Sequence, residues 1–491
     1  MGKIKVNKEL AILVLILLLG AFFRLYHIGE YMTFLGDEGR DVLIVRRLLV
    51  DGNLILIGPG TSIGNMYLGP LYYYMMAPAL LLAGFSPVGP AVMIALLGVA
   101  TIFLIYWVGR QWFTPRAGLI AALLYGLSPT VIVHSRSSWN PNIMPFFALL
   151  TIYSVWQITQ EKKYNWLIVL GLAYAFVLQS HYLGLLLLPT ALLFLFPVFS
   201  QPKVRRPLFL GIFIFLLLMS PLLFFDLRHN FMNFKALRAF ISHPQGSFSW
   251  SLTGFLMNLW LNFRLVITRL LTGRNELAGG VLAVFFVGVL IYRFLEKSLS
   301  HKHCQFLLTW LGFGILGLSF LNREIYDHYF GFLFPVPFLC LAGLSEYLRE
   351  KLGKFGSIFV SLGIIVLVAV NLLNNPLRHH PNRQLQRSKV VAEKILTEAK
   401  GEGFNLAVLA QRNYEDGYAY FLEKAGARPL HADRWDESTI SDQLFVVCER
   451  VHEECKPTTD SKAEVVNFGM TKIEIEWEVG GIFLYKLIHK P

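Results

Sequence analysis

Adjacent acidic residues, Asp37 and Glu38, lie within the stretch 31–52, YMTFLGDEGRDVLIVRRLLVDG, just after the first long apolar run. Carboxylates so placed can exchange protons at a reacting group, or they can do no more than cap a helix and complement its dipole. Neighbouring side chains at a helix start diverge. They are therefore not the flanking acid and base of a glycoside hydrolase, which stand roughly 5 to 10 Å apart across the scissile bond.

The element that must position them is an amphipathic helix. Asp37 stands where an N-cap is expected, and Glu38 falls in the first turn. Val42, Ile44, Val45, Leu48 and Leu49 form an apolar stripe, with Arg40, Arg46 and Arg47 off it. Beside a membrane span, such a helix lies along the bilayer surface with its N-terminus at the interface.

Composition supplies the membrane. The 491 residues are 55% hydrophobic and 15% charged, with mean hydropathy +0.52, and runs of bilayer-spanning length recur along the first three quarters. The net charge is +12, yet from Pro376 onward 16 Lys plus Arg face 18 Asp plus Glu. The excess thus lies in the apolar part, which indicates positive-inside loops and anionic lipid and argues against nucleic acid as a partner.

Lys3, Lys5 and Lys8 precede an apolar run at 10–23 that lacks a small-residue cleavage site, the pattern of an uncleaved anchor with a cytoplasmic N-terminus. The loop 28–88 is then external. Its apolar segment 69–84 is short and carries Pro78. If that segment does not cross, the loops bearing Arg110 and Arg116, Lys162 and Lys163, Lys203, Arg205 and Arg206, Lys297 and Lys302, and Lys351 and Lys354 all fall inside. The expectation is therefore about eleven spans, the later ones near 90–108, 117–134, 141–158, 166–179, 182–199, 207–225, 278–292, 304–321, 329–347 and 355–373.

With that topology the outer surface gathers Asp37, Glu38 and Arg40; Arg136, Trp139 and Asn140 of HSRSSWNPN; His181 and Tyr182; Arg228 of DLRHNF; and Arg323, His328 and Tyr329 of NREIYDHYF. The middles of the spans carry almost no ionisable side chains, unlike ion-coupled transporters. GFGILG at 312–317 lies inside a span without a preceding strand, so it reads as close helix packing rather than a dinucleotide fingerprint. Residues 376–491 read as a small α/β domain: helices at 385–399 and 414–424, and strands at 404–410, 443–448, 463–467, 471–478 and 482–488. Cys304 and Cys340 sit in apolar runs; Cys448 and Cys455 could pair if this domain is extracytoplasmic, but spacing does not decide it.

A span, an external loop with an Asp-Glu pair opening a juxtamembrane helix, and an external Ser-Arg loop after the third span resemble the GT-C superfamily of polyprenyl-phosphate-sugar-dependent glycosyltransferases. The likeness covers roughly 10–373 and is strongest to the branch with protein O-mannosyltransferases and the lipid A aminoarabinose transferase. It implies a polytopic α-helical membrane protein (GT-C-like) acting in the bacterial or archaeal inner membrane; the small extracytoplasmic α/β domain read at 376–491 is comparable to the family only in position. It also implies catalytic roles for Asp37, as base or metal ligand, and Glu38.

The chemistry agrees: attack of a hydroxyl on a lipid-phosphate sugar needs a base beside the hydroxyl and positive charge beside the departing phosphate. Arg40, Arg136, Arg228, Arg323 or a divalent cation would supply the charge, with Asn140, His181, Tyr182, His328 and Tyr329 as further donor-binding candidates. The expected reaction is sugar transfer from a polyprenyl-phosphate donor to a lipid, polysaccharide or protein, by one displacement with inversion. The rivals are a flippase for lipid-linked glycans and a non-catalytic scaffold; neither needs Asp37.

Overall fold

The computed structural model describes residues 8–242, 251–296, 301–321 and 324–490. It is largely helical. In chain order the helices are α1 (Lys8–Leu25), α2 (Ile28–Tyr31), α3 (Gly36–Asp51), α4 (Leu71–Leu82), α5 (Val88–Trp112), α6 (Pro115–Leu127), α7 (Pro129–His134), α8 (Met144–Thr159), α9 (Trp166–Ser180) and α10 (Leu188–Leu195). Then come α11 (Arg205–Arg228), α12 (Met232–Ser242), α13 (Leu252–Leu271), α14 (Glu276–Leu295), α15 (Lys302–Ser319) and α16 (Pro335–Leu373).

Among the described residues, five helices are long and apolar enough to cross a membrane: Val88–Trp112, Asn140–Thr159, Pro202–Arg228, Glu276–Leu295 and Pro335–Leu373. Of the other expected spans, α1 and α15 are continuous helices of 18 residues each, and the rest are helices at the expected places but shorter or broken. The one expected at 117–134 divides into α6 and α7, because Ser128 is extended and Pro129 must start a new helix. The one at 182–199 begins as a 3-10 turn, Tyr182–Leu187. The pair at 329–347 and 355–373 is a 3-10 turn, Asp327–Leu333, followed by α16, which breaks at Gly353 (φ 56°). The segment containing Pro78 forms only the twelve-residue α4, too short to cross.

Small residues bring the helices together where apolar surface gives no preference between protein and lipid. A Cβ on Gly171 of α9 would lie 2.1 Å from the Gly211 carbonyl oxygen of α11, so those two backbones touch. Gly314 and Gly317 of GFGILG lie against Leu333 and Leu186, the packing role expected of them.

The C-terminal part carries α17 (Gln384–Ala399), α18 (Asp416–Lys424) and α19 (Ala463–Phe468) around a four-stranded sheet of order β1-β2-β4-β3. Strand β1 (Asn405–Leu409) runs parallel to β2 (Gln443–Cys448). Strands β3 (Thr471–Val479) and β4 (Ile482–His489) complete it antiparallel, with a register shift between Ile473 and Ile475. Strands β1 and β2 are buried along their length, with α17 and α18 on one face of the sheet and α19 on the other. Residues 463–467, expected as a strand, are helical: Val465 and Phe468, three apart, are the residues buried against the sheet. Cys448 and Cys455 form a disulfide.

The C-terminal part meets the first loop along α18 and α3. A Cβ on Gly39 would lie 2.3 Å from the Gly417 nitrogen, so the two helices cross backbone to backbone. Arg47 of α3 pairs with Glu423, and Lys424 and Tyr420 both donate to the Phe85 carbonyl oxygen. Gly39→Ala is therefore expected to force α3 and α18 apart at a cost of about 1 to 3 kcal/mol. Thermal unfolding of the purified protein in detergent should show a lowered midpoint, with faster proteolytic release of the C-terminal part.

Candidate active site

The entry to α3 is built from backbone donors that find partners far away in sequence. Thr33 N–H donates to Ser137 Oγ (2.9 Å), Phe34 N–H to Gln384 Oε1 (3.0 Å), and Gly36 N–H to Asn413 Oδ1 (2.8 Å). Leu35, not Asp37, is the residue before the helix, and Asp37 stands one turn position inside it. Glu38 does the capping: its Oε2 accepts the Leu35 N–H at 3.0 Å. It is buried and is not among the residues lining the cavity described below, and burial pushes its carboxyl up to about 7.

Asp37 sits in a charge cluster on one face of the first turns. Arg40 Nη1 donates to Asp37 Oδ1 at 2.8 Å, while its Nε and Nη2 donate to Asp41 Oδ1 at 3.0 and 2.7 Å. Tyr73 Oη also donates to Asp41 Oδ1, at 3.1 Å, and Tyr414 Oη donates to Asp37 Oδ1. Asp41 is fully buried; burial raises its carboxyl to about 6 against the opposing pull of Arg40. The Asp37 side chain is 40% exposed, and its Oδ2 has no hydrogen-bond partner among the described residues. One oxygen of this carboxylate is held by two donors, and the other is unengaged.

That carboxylate forms one wall of a cavity of about 230 Å³. Arg40 shares the wall, and the turn 59–62 lies beside it. Trp139 and Asn140, His181 and Tyr182, and His328 and Tyr329 come from three other connections. They converge because each stands where a helix of the bundle starts or ends. Asn140 Nδ2 is anchored on the Ser180 carbonyl oxygen at 2.7 Å. The His181 and His328 rings lie 5.7 Å apart, and Trp139 packs edge-on to His328 at 4.6 Å. Burial lowers both histidines to about 3, so they are neutral imidazoles. His181 Nδ1 accepts the Leu183 N–H (3.2 Å), which puts its own proton on Nε2.

Other basic candidates lie elsewhere. Arg136 is buried, and its guanidinium donates to the Phe23 and Tyr26 carbonyl oxygens at 2.5 and 2.6 Å, satisfying the open C-terminal end of α1. Arg228 is exposed at the end of α11, 5.6 Å above the Phe224 ring. Arg323 lies outside the described residues. Beside His328, Asp327 pairs with Arg269 and Arg274, two cations that sequence reading did not single out. Asp41 was passed over as well, although the DxxRD spacing places it one helical turn from Asp37 with Arg40 between. Nothing in the sequence pointed to Tyr414.

Residues 68–225 match the family model described as dolichyl-phosphate-mannose-protein mannosyltransferase, a stretch that begins after Asp37. No curated protein matches the chain in sequence. Among solved structures, ArnT from Cupriavidus metallidurans, determined with undecaprenyl phosphate bound, superposes with a TM-score of 0.61 at 12% identity, covering 97% of each chain. AglB, the oligosaccharyltransferase of Archaeoglobus fulgidus, determined with an inhibitory peptide and a dolichol-phosphate, superposes at 0.54 and 15% identity, covering 91% of this chain and 70% of its own. Another structure of that enzyme is a complex with Zn and sulfate (TM-score 0.54, 14% identity, 89% and 68% covered). The chain thus has the GT-C membrane fold.

The buried Glu38 gives the site a measurable pH dependence. In the folded chain it keeps its proton to about 7, whereas the unfolded chain releases it near 4.5. Its contribution to stability is therefore present below about pH 4.5 and is lost as pH rises through 7, by about 3 kcal/mol. Glu38→Gln keeps an acceptor for the Leu35 N–H and should flatten that slope in melting curves taken from pH 4.5 to 8.

Proposed function

We propose that this chain is a GT-C glycosyltransferase that moves a sugar from a polyprenyl-phosphate carrier to an acceptor hydroxyl on the extracytoplasmic face of the membrane. The observation that carries this reading is the state of Asp37: Oδ1 accepts from Arg40 and Tyr414, and Oδ2 is unengaged on the wall of a cavity. The fold and the partial family match support it, as do the lipid phosphates held by ArnT and AglB. The positive-inside pattern of the loops favours a cytoplasmic N-terminus, with α3 and the C-terminal α/β domain, residues 376–491, outside.

In this mechanism Asp37 Oδ2 takes the proton of the acceptor hydroxyl as its oxygen attacks the anomeric carbon. The bond from that carbon to the phosphate oxygen breaks in the same step. The lipid leaves as a phosphate monoester, which needs no general acid. Attack from the side opposite the phosphate inverts the anomeric centre. Arg40 retains two N–H groups beyond its three bonds to Asp37 and Asp41, and these face the developing phosphate charge. The neutral His181, donating from Nε2, adds a hydrogen bond without adding charge.

A divalent cation does not fit these residues. The guanidinium of Arg40 already bridges Asp37 and Asp41, where a metal would draw on the same oxygens. Among the described residues no group of three or more His, Cys, Asp or Glu side chains is placed to hold a metal. Arg40 supplies the positive charge in this account.

The test is transfer of radiolabelled sugar from polyprenyl phosphate by the purified full-length protein, with label counted in the lipid, polysaccharide and protein fractions of added membranes. Asp37→Asn should lower turnover roughly hundred- to ten-thousandfold with folding intact. Unchanged turnover would remove Asp37 from the reaction, and label crossing the membrane still attached to its carrier would indicate translocation instead. Chelation with EDTA should leave turnover unaltered; a loss restored by an added divalent ion would contradict the role given to Arg40.

A further inference from the structure

We propose that Tyr414 is a positioning residue for Asp37, so that the transfer centre is complete only when the C-terminal domain is docked. The inference rests on the functional reading above and adds to it a second domain's contribution. Tyr414 lies 377 positions from Asp37, yet its hydroxyl donates to Asp37 Oδ1. It does not line the cavity, so it acts through the carboxylate rather than on substrate.

The approach of the phenol is built into both chains. Its ring packs flat against Gly36, where a Cβ would lie 2.4 Å from the ring carbons. The preceding residue, Asn413, caps the Gly36 N–H with Oδ1 and donates from Nδ2 to Glu449 Oε1 at 2.6 Å. Tyr418 Oη donates to the same Glu449 oxygen at 2.5 Å. The loop that carries Tyr414 is therefore tied at one side to the residue following β2 and at the other to the first turn of α3. Burial, then the adjacent Asp37 carboxylate, raises the Tyr414 phenol far above its usual range, so it stays a donor.

The consequence for Asp37 is geometric. Held by Arg40 alone, a carboxylate on a single bond can turn and exchange its two oxygens. With a second donor on Oδ1 from the opposite domain, Oδ2 is the oxygen left toward the acceptor. Removing the phenol hydroxyl should therefore impair the chemical step and spare donor binding, which depends on Arg40 and the cavity walls.

The test compares Tyr414→Phe with Glu423→Ala in the full-length protein. Glu423 pairs with Arg47 across the same domain contact but touches neither Asp37 nor the cavity. Two readouts are taken: the separate effects on kcat and donor KM, and the rate at which a carbodiimide labels residue 37, followed by mass spectrometry. The expected result is a fall of about tenfold in kcat for Tyr414→Phe with donor KM within twofold of the parent, and an altered labelling rate at residue 37. Glu423→Ala should change neither. A parent-like kcat and labelling rate in Tyr414→Phe would overturn the proposal. So would equal losses in both variants, because domain docking rather than the hydroxyl would then be responsible. If the parent protein itself transfers no sugar, the functional reading falls, while the labelling comparison still decides whether Tyr414 fixes Asp37.

Discussion

The structure depends on how three carboxylates are accommodated within five residues of one helix start. Asp37, Glu38 and Asp41 crowd the first turns of α3, and two of them are buried. Each is compensated differently. Glu38 accepts an orphan backbone N–H and holds its proton to about 7; Asp41 takes two N–H groups of Arg40 and the Tyr73 hydroxyl; Asp37 shares Arg40 and stays half exposed. An unpaired buried charge is costly, so Arg40 is indispensable to this arrangement. The same guanidinium and the Tyr414 hydroxyl hold one oxygen of Asp37 and leave the other unengaged in a side chain that lines the cavity, the arrangement on which the proposed reaction rests.

Two features of the fold place that site. The ends of helices α8 and α9 and the turn before α16 bring aromatic and amide groups from distant connections into one small space. The C-terminal α/β domain then closes over α3, and the crossing of Gly39 with Gly417 allows the two helices to approach so closely that side chains from the domain reach the first turn. The domain is thus part of the surroundings of Asp37.

Much of this was legible from residue type and position. Asp37, Arg40, Asn140, His181, Tyr182, His328 and Tyr329 line one cavity because a polar or aromatic group at the end of an apolar helix has few other places to go. What escaped has a physical reason in each case. Asp37 looked like a helix cap, but the cap is made by Glu38 and by Asn413 from the far end of the chain. Arg136 sat in a loop rich in sugar-binding residue types, yet its charge is spent on the open carbonyls of α1. Asp41 was hidden inside an amphipathic pattern, and Tyr414 meets Asp37 only through tertiary docking. Residues 463–467 are expected as a strand, whereas burial of Val465 and Phe468 follows helical spacing.

The central claim, that Asp37 offers an open oxygen beside a phosphate held at Arg40, is tested most directly by a structure of the full chain with a polyprenyl phosphate bound. The account predicts phosphate oxygens within hydrogen-bond distance of the Arg40 guanidinium, with Asp37 Oδ2 still unengaged on the side from which an acceptor enters. A phosphate lodged away from Arg40, or one around which Asp37 turns both oxygens into the protein, would contradict it.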